Sequence, residues 1–108
     1  MTKITFFKKK GLYYGFRAEG HADFAARGED IVCAAISILT QTLCFYALEA
    51  GVLEEYILVD QEDGALAISF LEKCDYERIQ EGFRYLKVGI DLLAAQYPEY
   101  VQFGDRSF

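Results

Sequence analysis

His21, Asp30 and Cys33 stand within one short segment, and together they could carry nucleophilic chemistry. A thiolate attacks a carbonyl carbon far better than a thiol does. Asp30 is predicted as the N-cap of a helix, which makes Cys33 its third residue. Unpaired amides and the positive end of the helix dipole favour the thiolate there. His21, the chain's one histidine, closes a predicted strand. A loop folded back from it would let the imidazole take the thiol proton and return it to a leaving amine. Plainer readings exist for each residue. A cysteine in an apolar helix commonly serves as a small core side chain. An aspartate before a helix is sufficiently explained as a cap, and a histidine at a strand end as a surface residue. Spacing alone leaves both sets open.

The elements that must position these residues follow from pattern. Lys3–Lys9 reads as a first strand, Lys10-Gly11 as a turn and Leu12–Gly20 as a second strand. Alternation puts Tyr14, Phe16 and Ala18 on one face and Arg17 and Glu19 on the other. Residues 22–29 read as a loop. The run from Asp30 to about Ala50 is apolar nearly all round, as a central helix would be, and Gly51 stops it. Glu55–Asp60 and Ala65–Leu71 are strand-like, with Asp63-Gly64 as the hairpin signal. Ile79, Phe83, Leu86, Ile90 and Leu93 form one stripe in a second helix, from Asp75 to about Gln96. Pro98 ends it, and Val101–Phe103 reads as a short last strand. The expected fold is α+β in the order ββαββαβ: a single mixed or antiparallel sheet with two helices packed on it.

Bulk composition bounds the function. At 108 residues the chain is one domain, 1–108, and 53% hydrophobic residues suffice for a core without staples. The net charge of −6 disfavours nucleic acid as a main partner. The charge is segregated, however. Residues 1–18 hold Lys3, Lys8, Lys9, Lys10 and Arg17 and no acid, whereas residues 19–63 hold ten acids and the single base Arg27. Lys8-Lys9-Lys10-Gly11 reads either as a solvated turn or as an anionic docking patch. Three cysteines with no CxxC pair and one histidine argue against a metal site, and no cofactor motif is present. Cys44 and Cys74 read as core residues. The absence of a secretory pattern makes a reduced cytoplasm the expected setting. Ile31–Leu48 carries no charge, but Ser37, Thr40, Gln41 and Thr42 interrupt it, so a buried helix explains it better than a membrane span.

The stretch Gly20-His21-Ala22, then Gly28, then Asp30-Ile31-Val32-Cys33-Ala34-Ala35-Ile36-Ser37 resembles the signature of the bacterial ribosomal-processing cysteine protease family. The twelve-residue step from His21 to Cys33, the chain length and the element order resemble that family too. The resemblance implies an endopeptidase that removes a short N-terminal extension from large-subunit ribosomal protein twenty-seven, cutting after a pair of phenylalanines. It implies Cys33 as nucleophile, His21 as general base and acid, Asp30 as orienter or cap, and Gly20 and Ser37 in support. It also implies a homodimer. The loop residues Ala22, Asp23, Phe24, Arg27 and Gly28 suit a segment that orders over bound peptide. Two other classes compete: a ribosome-associated binding module in which Lys8–Lys10 touch RNA, and a thiol redox protein using Cys33.

Overall fold

The computed structural model describes residues 1–20, 27–62 and 64–108, with backbone alone for 27–30. Strands β1 (Thr2–Lys9) and β2 (Leu12–Glu19) form the first hairpin, and helix α1 (Arg27–Glu49) follows. Strands β3 (Ile57–Glu62) and β4 (Ala65–Phe70) form the second hairpin, then come helix α2 (Gln80–Gln96) and strand β5 (Val101–Ser107). The sheet order is β3-β4-β2-β1-β5. Every pairing is antiparallel except β1 with β5, which is parallel, so the sheet is mixed and the expected ββαββαβ order holds.

Lys10 and Gly11 sit at φ +54 and +80. Left-handed backbone at both positions is what a two-residue hairpin needs to follow the strand twist. Just beyond this turn the register slips, because Phe7 faces Gly15 while Lys8 faces Tyr13. Tyr14 is the extra residue of a β-bulge. Alternation put Tyr14 on the core face, and the bulge corrects that. Tyr13 turns inward against Phe6 and Phe83, while Tyr14 turns toward Phe7 on the opposite face. The Gln80 side chain completes the arrangement. Its amide donates to the Tyr13 carbonyl at 2.8 Å and its oxygen accepts from the Tyr13 amide at 2.9 Å. Both groups lie where β4 no longer runs alongside β2.

Both helices cover one face of the sheet. Ile4, Phe6, Phe16, Ile68 and Phe70 from the strands meet Val32, Ile36, Leu43 and Ala47 of α1 and Phe83, Leu86 and Ile90 of α2. The predicted α2 stripe is buried at all five positions, Ile79 included, although Tyr76–Ile79 forms a 3-10 turn ahead of the α-helix. Asp75 caps that turn by accepting from the Glu77 amide. Gly82 lies so close to α1 that a Cβ there would sit 2.7 Å from Tyr46.

Three further expectations are corrected. Helix α1 is not buried all round: Ile31, Ile38 and Phe45 are exposed at heptad spacing. Its Ile31–Glu49 part is long and apolar enough to cross a membrane by composition, yet one face of it packs in the core. An uncharged helix can thus bury only one stripe. Strand β5 runs seven residues rather than three, since β1 offers it a continuous parallel edge from Thr2 to Lys8. Helix α1 begins at Arg27, so Asp30 lies within its first turn rather than at its N-cap.

Candidate active site

Cys33 is the seventh residue of α1, not the third, because the helix starts earlier than its sequence suggested. It therefore lies beyond the first four amides, which are the ones lacking an intrahelical acceptor. The dipole contribution expected from an early position is correspondingly reduced, since that effect fades within the first turn. What the fold gives Cys33 instead is access. Its side chain is exposed, whereas Cys74 is buried and Cys44 half-buried. Burial, with Glu54 beside it, pushes the Cys44 thiol up; burial, with Asp75, does the same to Cys74. Both are therefore held as thiols.

Cys33 opens onto a groove of about 300 Å³. Gly20 and Ala18 at the end of β2 line it, as do Ile36 and Ser37 on α1 and Gln61, Gly64 and Leu66 at the β3–β4 hairpin. The Gly20 amide donates to the Gly64 carbonyl at 2.8 Å, tying the end of β2 to that hairpin. Gly20 also has φ +103, and a Cβ on it would stand 2.5 Å from the Met1 carbonyl oxygen. Only glycine fits this position without moving backbone. The glycine of the Gly20-His21 pair is therefore dictated by the geometry that delivers the chain to the groove.

His21, Ala22, Asp23 and Phe24 lie outside the described residues, as do the side chains of Arg27, Gly28 and Asp30. Ser37 follows Cys33 by one helical turn, lines the same groove and accepts a hydrogen bond from Gln41 at 3.0 Å. Sequence reasoning missed Gln61, Gly64 and Leu66 as groove residues. The Asp63-Gly64 turn signal located the hairpin, but only the sheet order brings it beside β2.

The groove continues. Ser37, Gln61 and Leu66 also line a second hollow of about 150 Å³, which runs past Cys44 and Phe45 of α1, Val59 of β3 and Ile68 of β4. Both hollows are mainly apolar, with Phe45, Val59, Leu66 and Ile68 forming the apolar slot of the second. An exposed thiol beside an apolar slot can attack a carbonyl whose neighbouring apolar side chains the slot holds. Among the described residues no group of three or more His, Cys, Asp or Glu side chains converges to hold a metal.

Comparison with known proteins gives matching results. The family model for cysteine protease Prp matches residues 1–102. A ribosomal processing cysteine protease Prp from Mycoplasma pneumoniae is 32% identical over 95 residues, covering 87% of this chain and 89% of that protein. Among solved structures, SMU.848 from Streptococcus mutans superposes with a TM-score of 0.78 at 32% identity, covering 100% of this chain and 96% of the other. The essential ribosomal processing protease Prp from S. aureus, solved with a substrate peptide, has a TM-score of 0.80 at 19% identity over 98% of this chain and 100% of its own.

Proposed function

Since this chain belongs to the Prp family of cysteine proteases, we propose that it is the endopeptidase that trims a short N-terminal extension from large-subunit ribosomal protein twenty-seven, with Cys33 and His21 as its dyad. The observation that carries the reading is the shared groove: exposed Cys33 and Gly20, the residue immediately before His21, line one cleft. In the proposed reaction the His21 imidazole accepts the Cys33 proton as Sγ adds to the scissile carbonyl. Collapse of the tetrahedral adduct leaves a thioester on Cys33, and the imidazolium protonates the departing amine. Water then attacks the thioester, with His21 as base, and releases the acid and the free thiol. Asp30 acts as orienter of His21.

The apolar slot bounded by Phe45, Val59, Leu66 and Ile68 supports a substrate with phenylalanines before the cut. Peptide contact by Ala22, Asp23 and Phe24 is part of this proposal, whereas Arg27 and Gly28, read from the sequence as loop, belong to the first turn of α1. The protein works as a homodimer in the cytoplasm. The exposed Tyr85, Val88 and Leu92 on α2 support the dimer, beside an apolar cleft between α1 and α2 of about 430 Å³. The test is mass spectrometry of a peptide carrying an apolar stretch, two phenylalanines and an alanine. A single cut after the phenylalanines is expected from the wild type and not from Cys33→Ala or His21→Ala. Cleavage that survives Cys33→Ala sinks the reading. Sedimentation at micromolar concentration tests the dimer.

A further inference from the structure

The face of the sheet turned away from α1 and α2 has a construction of its own. A row of rings crosses it. Phe108 stacks on Phe7 at 6.0 Å, Phe7 meets Tyr14 at 6.3 Å, and Tyr14 stacks on Tyr76 at 5.8 Å. Tyr14 reaches this row only because the bulge turns it away from the core. Beside the row, over β1 and β5, lies a hollow of about 520 Å³. Thr5, Gln102 and Gly104 are in its lining, with Lys3 and Arg106 at its sides. A Cβ on Gly104 would meet nothing within 4 Å, so that part of the floor is open. Asp105 also borders the hollow, but its carboxylate is engaged by Lys8 and Lys87.

The charge of this half-face opposes that of the whole chain. Lys3, Lys9, Lys10, Arg17 and Arg106 stand on or beside it against two acids, Glu72 paired with Lys9 and Glu19 paired with Arg17. The excess is three positive charges. Lys3, Lys10 and Arg106 make no ion pair among the described residues. The acids of the same face, Asp60 and Glu62, are on the far edge strand β3. The expectation of no nucleic-acid contact rested on the net charge, and the fold sorts that charge by face.

We propose that this face is a weak docking surface for single-stranded RNA. Rings on an open sheet give unstacked bases a platform, and flanking lysines and arginines take the phosphates. The hydroxyl of Thr5 and the amide of Gln102 offer partners for ribose 2′-hydroxyls in the hollow. An acidic peptide would use the charges and leave the ring row without a role. The site is separate from the Cys33 groove and does not depend on the protease assignment.

The test is fluorescence anisotropy of a labelled twelve-residue oligouridylate with the full chain. Neutralising about three phosphates predicts that affinity falls about 20-fold between 50 and 200 mM salt. Tyr14→Leu is expected to weaken binding about fivefold or more through lost stacking. Lys10→Glu with Arg106→Glu, at exposed positions, is expected to abolish it while peptide cleavage at Cys33 is unchanged. Unchanged far-ultraviolet circular dichroism and Tm show, independently of any cleavage, that the variant is folded. No anisotropy change at 50 mM salt overturns the proposal. So does equal binding of an oligodeoxythymidylate of the same length, equal competition by duplex RNA, or equal competition by polyglutamate.

Discussion

Replacing Gly20 by alanine is the sharpest probe of how the end of β2 is held at the groove. Two costs combine. At φ +103 a side chain is strained by roughly 1–3 kcal/mol. The new Cβ also meets the Met1 carbonyl oxygen at 2.5 Å, a backbone atom that can move only with the start of β1. Against these, alanine narrows the unfolded ensemble by about 0.4–1 kcal/mol. The net expectation is a loss of about 2–3 kcal/mol. For a domain of this size that lowers Tm by about 8–20 °C. Gly11→Ala is the matched control, since Gly11 also has positive φ (+80) but nothing lies within 4 Å of its Cβ. Its cost is strain alone, about 1 kcal/mol, and it lies at the far end of β2 from the groove. Thermal and urea unfolding of both variants separate the steric part from the strain. Cleavage kinetics supply the functional part: kcat/KM is expected to fall tenfold or more for Gly20→Ala, because His21, the proposed base, follows it directly and a displacement of about 1 Å can cost on the order of 100-fold. For Gly11→Ala it is expected to hold. If Gly20→Ala matches Gly11→Ala in both Tm and cleavage, the reasoning is wrong.

Other perturbations have equally definite outcomes. Gln80→Ala strips the Tyr13 amide and carbonyl of their partners and the Tyr76 carbonyl of another, so urea unfolding should show a loss of about 2 kcal/mol. Gly82→Ala presses a Cβ between Tyr46 and Leu43 and should destabilise by about 1–2 kcal/mol. Gly89→Ala meets only the branched end of Leu39, which is partly exposed, so helix propensity should win and Tm should hold or rise. Burial alone would raise the Asp105 pKa, but Lys87, Lys8 and Tyr13 outweigh it and hold it below the usual carboxylate range. Its stabilisation is therefore complete above the unfolded pKa and is lost as pH falls through the folded value, below about pH 4. Asp105→Asn should remove about 0.5–1 kcal/mol at pH 7 and flatten the acid limb of a stability profile. Val59→Glu should raise KM for a peptide with phenylalanines before the cut while leaving Tm within about 2 °C.

Much of this architecture is legible in the sequence where local pattern and tertiary contact agree. The α2 stripe is an example, because a helix with one partner face shows its period directly. Tyr14 was misassigned because alternation counts one residue per register step, and a bulge inserts one that no pattern announces. The start of α1 was placed late because Gly28 reads as a turn. A helix tolerates one glycine at a cost of about 1 kcal/mol, and Glu29 and Asp30 suit its positive end. The second half of β5 is not legible because Gly104, Asp105, Arg106 and Ser107 have little strand propensity of their own, and the edge of β1 imposes their conformation. At the site, residue type and spacing make Cys33 a candidate and the family resemblance selects it; the structure shows its side chain exposed on the groove. The groove walls on β3 and β4 are adjacent to it only through the sheet order, which local sequence does not encode.

The position of β1 has a consequence for synthesis. This strand leaves the ribosome well before β5, yet on one side it is completed only by β5, with Thr2 facing Val101. Until residues 101–107 emerge, its outer edge stays unpaired, and the hydrogen bonds along that edge must wait for a strand some ninety residues further on. A nascent sheet with an open inner strand invites pairing with a neighbouring chain. The lysines at positions 3, 8 and 9 of β1 are charges of the kind that discourage such pairing during that interval.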